Sequence, residues 1–164
     1  MATKKAQPGY FEFDVAQIFT PVLVRALGDK LYDKRKVAAH ELEEAVRNFA
    51  NAEEDDVREK SRPAASLSLI LMLTMTQQKI IAILKYLQVH FVQSSNAHVR
   101  KGGLIGLAAC GIGLGPKIPD HLEEILLQII RLLVDQDSRV RYYATESLYN
   151  VSKVAKVATL IYFN

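Results

Sequence analysis

An all-α solenoid of stacked helical hairpins is the fold this sequence predicts, and three observations predict it. A short polar turn that runs into an apolar helix occurs three times, at residues 29–35 (DKLYDKR), 94–100 (SSNAHVR) and 135–141 (DQDSRVR). The second and third copies lie 41 residues apart, within the ~40 to 47 residues of HEAT and armadillo units. Strand signals are weak, with no alternating β-branched run bounded by hairpin turns.

The elements follow in order. Residues 14–27 read as a helix with Phe19, Leu23, Val24 and Leu27 on one face, shortened or kinked at Pro21. After the first turn, Val37, Ala38, Leu42, Ala45 and Phe49 step by three or four and define a buried face. Residues 77–93 repeat that pattern through Ile81, Leu84, Leu87 and Phe91. Past the second turn, Val99, Gly103, Leu107, Cys110 and Leu114 overlay Val140, Ala144, Leu148, Val151 and Ala155 of the third copy. Between them, residues 120–135 form an amphipathic helix. Pro119 marks its boundary, and Asp120 is placed to cap its first turn with Glu123 reaching back. Leu122, Ile125, Leu126, Ile129, Ile130 and Leu133 form its apolar stripe, opposite Glu124, Gln128, Arg131 and Asp135. The organisation is therefore a first repeat at 10–50, a second at 79–118, a third at 119–158, and the start of a fourth at 159–164 (TLIYFN).

Residues 51–78 break the period, because the first copy precedes the second by 65 residues, 24 more than the later spacing. The segment opens acidic (Glu53, Glu54, Asp55, Asp56), passes Ser61, Arg62 and Pro63, then turns apolar from Leu67 to Met75. Nine apolar-run residues are too few to span a bilayer, which takes about 20. The segment reads as an extra helical excursion, an insertion between repeats, or an error in the coding sequence, and the expectation is that it lies outside the stack.

Composition fits one continuous core: 164 residues, 49% hydrophobic and 24% charged. Residues 1–9 are polar, without a charged start followed by a long apolar stretch, which favours a cytosolic setting. The single cysteine, Cys110, lies on the expected core face and reads as a small buried residue.

Catalytic signals are sparse. Gly111, Gly113 and Gly115 look like fragments of a phosphate-binding loop, yet no strand precedes them and no acidic ribose partner follows. With Gly102, Gly103 and Gly106 they read instead as places of close helix approach. His40, His90, His98 and His121 show no metal-ligand spacing, so no metal or cofactor is expected. No nucleophile, base and orienting group can be assembled, and the expectation is a binding protein, not an enzyme.

Charge offers more. Net charge is +3, and Lys36, Lys101 and Arg139 fall at related places in the three copies, a potential basic ridge. Arg35, Arg100 and Arg141 each follow the start of their turn by six residues, where they would tie adjacent turns together. Asp29 and Asp135 fill the acidic position of that ladder, while Ser94 does not and is expected to weaken it. On the last long helix Arg139, Tyr142, Glu146, Tyr149, Lys153 and Lys156 share a face that mixes aromatic and basic groups. Such mixing suits a protein interface, and burial of Tyr142 and Tyr149 between repeats is the competing reading.

Residues 24–39 (VRALGDKLYDKRKVAA), 100–110 (RKGGLIGLAAC) and 137–144 (DSRVRYYA) resemble the amino-terminal HEAT repeats of the Vac/ArPIKfyve scaffold family. The resemblance covers most of 20–51 and 79–156, leaves out 53–78, and is partial from 157 onward. It implies a non-catalytic organiser that holds a PIKfyve (Fab) type lipid kinase and a Sac-type phosphatase together. The implied process is synthesis and turnover of phosphatidylinositol 3,5-bisphosphate on endosomal, lysosomal and vacuolar membranes, with membrane association through the partners. No catalytic residue transfers with it. The residues themselves nominate Lys36, Lys101, Arg139, Tyr142, Tyr149 and Lys153 for partner contact. The alternative is a basic helical-repeat module that binds nucleic acid or acts as a transport receptor. An uncovered apolar edge at the last repeat is expected to make the chain associate.

Overall fold

The computed structural model describes residues 13–59 and 65–163, and the side chains of residues 53–72 fall outside that description. Among the described residues every regular element is helical and there is no strand. A short 3-10 turn, Val15–Gln17, opens under Asp14, whose carboxylate accepts the Ala16 N–H at 3.0 Å. Then α1 (Pro21–Leu27) starts from Thr20, whose hydroxyl accepts the Leu23 N–H at 3.2 Å. Pro21 occupies the first helical position, where a missing N–H costs no hydrogen bond. It begins a short helix and does not kink the continuous 14–27 helix that the periodicity predicts.

The remaining elements are α2 (Tyr32–Glu59), α3 (Ala65–Leu87) with a π turn at Gln88–Val92, and α4 (Ala97–Leu114). A 3-10 stretch, Gly115–His121, leads to α5 (Leu122–Leu132), then α6 (Ser138–Ala155) and α7 (Val157–Tyr162). Asn96 caps α4 by accepting the His98 N–H at 2.8 Å. Asp137 caps α6 by accepting from the Arg139 and Val140 N–H groups at 2.7 and 3.2 Å. The helices pair as hairpins, α1 with α2, α3 with α4, and α5 with α6. Within the stack α4 lies between α2 and α6, so these three form one layer backed by α1, α3 and α5.

Leu27, Leu42, Ile83, Leu87, Leu104, Leu107, Ile125 and Ile129 are fully buried in a core that runs through all three hairpins. Each contributes about 1.5–3 kcal/mol by leaving water. The central helix is drawn in by its small residues. A Cβ at Gly102 would stand 1.9 Å from the Leu27 carbonyl oxygen, and one at Gly113 would stand 2.6 Å from that of Glu43. Close contact with α1 and α2 offsets the roughly 1 kcal/mol that each helical glycine costs.

The 41-residue period is visible in the backbone itself. Gly115 ends α4 at φ 53°, ψ −121°, and Lys156 ends α6 at φ 50°, ψ −118°.

Four expectations are corrected. Asp120 does not open a helix: α5 begins at Leu122 behind a 3-10 stretch holding Pro116 and Pro119, and its cap position, His121, offers no side-chain cap. Gln128, expected on the open side, is buried, because α5 is covered on more than its apolar stripe. Val37 and Ile81 are 62% and 47% exposed. The buried faces run through Ala38, Ala39, Leu42 and Val46, and through Ile80, Ile83, Leu84 and Leu87. Finally, 51–78 is not a separate segment at either end, since residues up to Glu59 continue α2 and those from Ala65 belong to α3, with Thr76 buried. The extra 24 residues lie largely in helix length: α2 has 28 residues against 18 in α4, and α3 has 23 against 11 in α5. The acidic side chains at 53–56, the triplet 61–63 and the apolar residues 67–72 lie outside the described side chains.

Candidate partner-binding surface

The turns set the geometry of the stack. In each copy the arginine six residues into the turn hydrogen-bonds two backbone carbonyls through Nη1. Arg35 donates to Asp29 and Lys30 at 2.7 and 3.0 Å, Arg100 to Ser94 and Ser95 at 2.9 and 3.0 Å, and Arg141 to Asp135 and Gln136 at 2.7 and 3.1 Å. The acceptor within a turn is thus main chain, and Ser94 serves as well as aspartate. That corrects the expected weak point at the second turn.

The other edge of Arg100 crosses between hairpins. Its Nε and Nη2 donate to the two carboxylate oxygens of Asp135 at 2.8 and 2.9 Å, a bidentate pair with little solvent exposure. Burial alone would raise the Asp135 carboxyl, but the hydrogen bonds from Arg100 and from the Asp137 N–H outweigh it and hold the group below the usual carboxylate range. Arg35 instead donates to the Tyr143 hydroxyl at 3.0 Å, reaching from α2 to α6. Its guanidinium lies 5.3 Å from the Tyr143 ring centroid, and the Tyr32 and Tyr143 rings are 6.2 Å apart. Asp29 pairs locally with Lys34 at 3.1 Å.

Behind this bridge the layer opens into a groove. Its cavity, about 440 Å³, has a floor from α4 (Ile105, Ala108, Ala109, Ile112) and walls from α2 and α6. Tyr32, Lys36, His40 and Glu43 stand on the α2 side, with Glu146, Ser147 and Asn150 on the α6 side. The alanines of α4 make the floor low between two helices that carry longer side chains. Ser147 donates to the buried Leu104 carbonyl at 3.0 Å and fixes α6 on α4. Glu43 is held by Arg47 at 2.5 Å, and the His40 ring lies 3.9 Å from its carboxylate. An apolar floor with a few polar groups at its rim is the form taken by recognition grooves.

The residues nominated from the sequence separate into three places. Lys36 is exposed and lines the groove. Tyr142 and Tyr149, 67% and 65% exposed, stand on the outer face of α6 with exposed Lys153, so they are not buried between repeats. Lys101 is not part of an exposed ridge: it is buried, and it lines a different cavity together with exposed Arg139. The proposed basic ridge is therefore interrupted at its middle copy. Sequence reading missed Tyr32, His40 and Glu43, and the run of small residues in α4 was the signal for a trough beside them.

Cys110 is fully buried, and burial pushes its thiol above the ordinary value. Among the described residues no His, Cys, Asp and Glu side chains gather in a group that could hold a metal, and no helix is long and apolar enough to cross a membrane.

A family model described as the Vacuolar 14 Fab1-binding region matches residues 98–164, from the start of α4 to the end of the chain. The chain is 41% identical over 140 residues to the Protein VAC14 homolog of Arabidopsis thaliana, covering 85% of this chain and 16% of that protein. It is also 41% identical over 145 residues to the Protein VAC14 homolog of Schizosaccharomyces pombe, covering 87% and 15%. Vacuole morphology and inheritance protein 14 of Saccharomyces cerevisiae is 35% identical over 143 residues, covering 87% and 14%. The chain thus spans about one seventh of the length of these relatives. No solved structure matches it.

Proposed function

The chain belongs to the Vac14 family of scaffold proteins, and from that premise we propose that its groove and the tyrosine face of α6 dock a Fab1/PIKfyve-type lipid kinase. One observation carries the reading: the Fab1-binding family model covers the helix that floors the groove and the helix that forms its far wall. The chain is a binding module and not an enzyme.

Within that reading Lys36 contacts the partner from the α2 wall, and Arg139, Tyr142, Tyr149 and Lys153 contact it from α6. Tyrosine and arginine supply large contact area with polar tips, as interfaces favour. A Sac-type phosphatase joins the same assembly, and the complex makes and turns over phosphatidylinositol 3,5-bisphosphate at endosomal, lysosomal and vacuolar membranes, reached through the partners. The name of the Saccharomyces cerevisiae relative, which refers to vacuole morphology, supports the vacuolar setting.

Capture of a purified Fab1-type kinase by the immobilised chain tests this. Tyr142→Ser with Tyr149→Ser is expected to leave helical content unchanged, since both rings are exposed, and to weaken capture by roughly tenfold or more. Undiminished capture by the folded double variant would remove the tyrosine face from the reading. Tight binding to duplex DNA or RNA that falls steeply with salt would favour the nucleic-acid alternative instead.

A further inference from the structure

A second cavity, of about 490 Å³, lies where the amino-terminal ends of α4 and α6 meet, lined by His98, Lys101, Gln136, Ser138 and Arg139. Lys101 is only 4% exposed. Among the described residues no acceptor stands within hydrogen-bond or ion-pair distance of its ammonium, and none bonds the buried Nδ1 of His98. The residue is thus covered along its length while its ammonium opens only into the cavity, and a charge so little hydrated gains from an anion beside it. Asp137 also lines the cavity, but its Oδ1 accepts the Arg139 and Val140 N–H groups at 2.7 and 3.2 Å.

We propose that this cavity is an anion site that takes a phosphate group, with the Lys101 ammonium as its principal donor and His98, Ser138 and Arg139 completing the set. Donors converge from two helices, and a tetrahedral anion offers oxygens in more directions than a planar carboxylate. The lysine stem is covered while its head reaches the cavity. The charges around the cavity act on one another. Burial lowers the Lys101 pKa first and the Arg35 charge lowers it further, the Lys101 charge in turn lowers that of His98, and the Asp137 carboxylate opposes both without overcoming them. A bound phosphate would oppose the effect of the neighbouring cations on both groups.

Inorganic phosphate titrated into the 164-residue chain, with chloride adjusted to hold ionic strength constant, provides the test. Amide shifts are expected to saturate and to cluster at residues 97–101 and 137–140. Lys101→Met is expected to weaken binding by roughly tenfold or more. In phosphate-free buffer the same variant should melt higher than the parent, because it removes a charge that burial and the neighbouring cations disfavour; a purely structural lysine would give a lower melting temperature. Should that variant fail to fold, His98→Ala and Arg139→Ala carry the same titration and should each weaken it. A second arm uses phosphatidylcholine vesicles with and without phosphatidic acid. Lys101-dependent binding to the acidic vesicles assigns the phosphate to a lipid monoester, and Lys101-dependent binding of phosphate alone assigns it to a soluble one. Shifts that track ionic strength without saturating, or equal affinity in parent and Lys101→Met, would overturn the site.

Discussion

At the scale of single residues, the most informative position is Lys156. Its φ of 50° and ψ of −118° match those of Gly115, one period earlier, and L side chains rarely adopt that conformation. The turns after α4 and α6 therefore both demand a positive-φ residue, which the second hairpin meets with glycine and the third does not. Replacing a strained residue by glycine relieves of order 1–3 kcal/mol and returns part of it as unfolded-chain entropy. Lys156→Gly is expected to stabilise the chain by about 1 kcal/mol, read as a higher denaturant midpoint with an unchanged slope. An unchanged or lower midpoint would show that the turn is not strained. Residue-level reading of the sequence succeeded where local chemistry decides, as with the arginines six residues into each turn. It failed at Lys101, because nothing local reveals that the helix behind Gly102 comes close enough to touch the Leu27 carbonyl and that a basic position there is covered.

At the scale of elements, the hairpins are joined by side chains that reach between turns, and the Arg100 and Asp135 pair is the clearest joint. Both side chains are largely out of solvent, 16% and 9% exposed. Removing one partner leaves a charge without compensation, so Arg100→Ala is expected to cost about 3 kcal/mol near neutral pH. The pH dependence follows from the direction of the Asp135 shift. Its carboxyl is held below the usual value in the fold, so the stabilisation is complete above the unfolded value of about 3.9 and is lost as pH falls through the folded one. The gap between parent and Arg100→Ala in chemical denaturation should therefore be constant above about pH 5 and shrink on acidification below about pH 4. A gap that persists at the acid end would mean that Arg100 acts through the Ser94 and Ser95 carbonyls alone. Hairpins were legible as elements because polar turns and apolar steps recur at one spacing. Register within α3 was not, because Ile80 and Ile81 are adjacent and equally apolar, and only packing against the neighbouring helices decides which is buried. The long α2 and α3 were read as an insertion for a related reason: added helical turns displace a repeat in sequence without interrupting the stack.

At the scale of the whole molecule, the groove depends on the order of stacking. Its walls come from α2 and α6, about a hundred residues apart in sequence, and its floor from the small residues of the helix between them. No single repeat contains that surface, so sequence reading could nominate the tyrosine face of α6 but not the trough beside it. The same stacking logic governs the last helix. Among the described residues the hairpins bury apolar faces against one another, whereas α7 and the residue after it expose Val157, Leu160, Ile161 and Phe163 at 65%, 66%, 71% and 58%. These four side chains form an apolar face at the α7 end of the stack. Burial of such surface is favourable by about 25 cal/mol per Å², and association requires only that it exceed the entropic cost of bringing two chains together. The 164-residue chain is therefore expected to associate as its concentration rises, seen as a shift to larger species in sedimentation velocity. Leu160→Lys with Ile161→Lys should return it to a single small species at the same concentration while helical content is kept. If the parent stays monomeric throughout, or if the double variant associates equally, the α7 face is not where chains meet, and its exposed residues are carried without a stacking role.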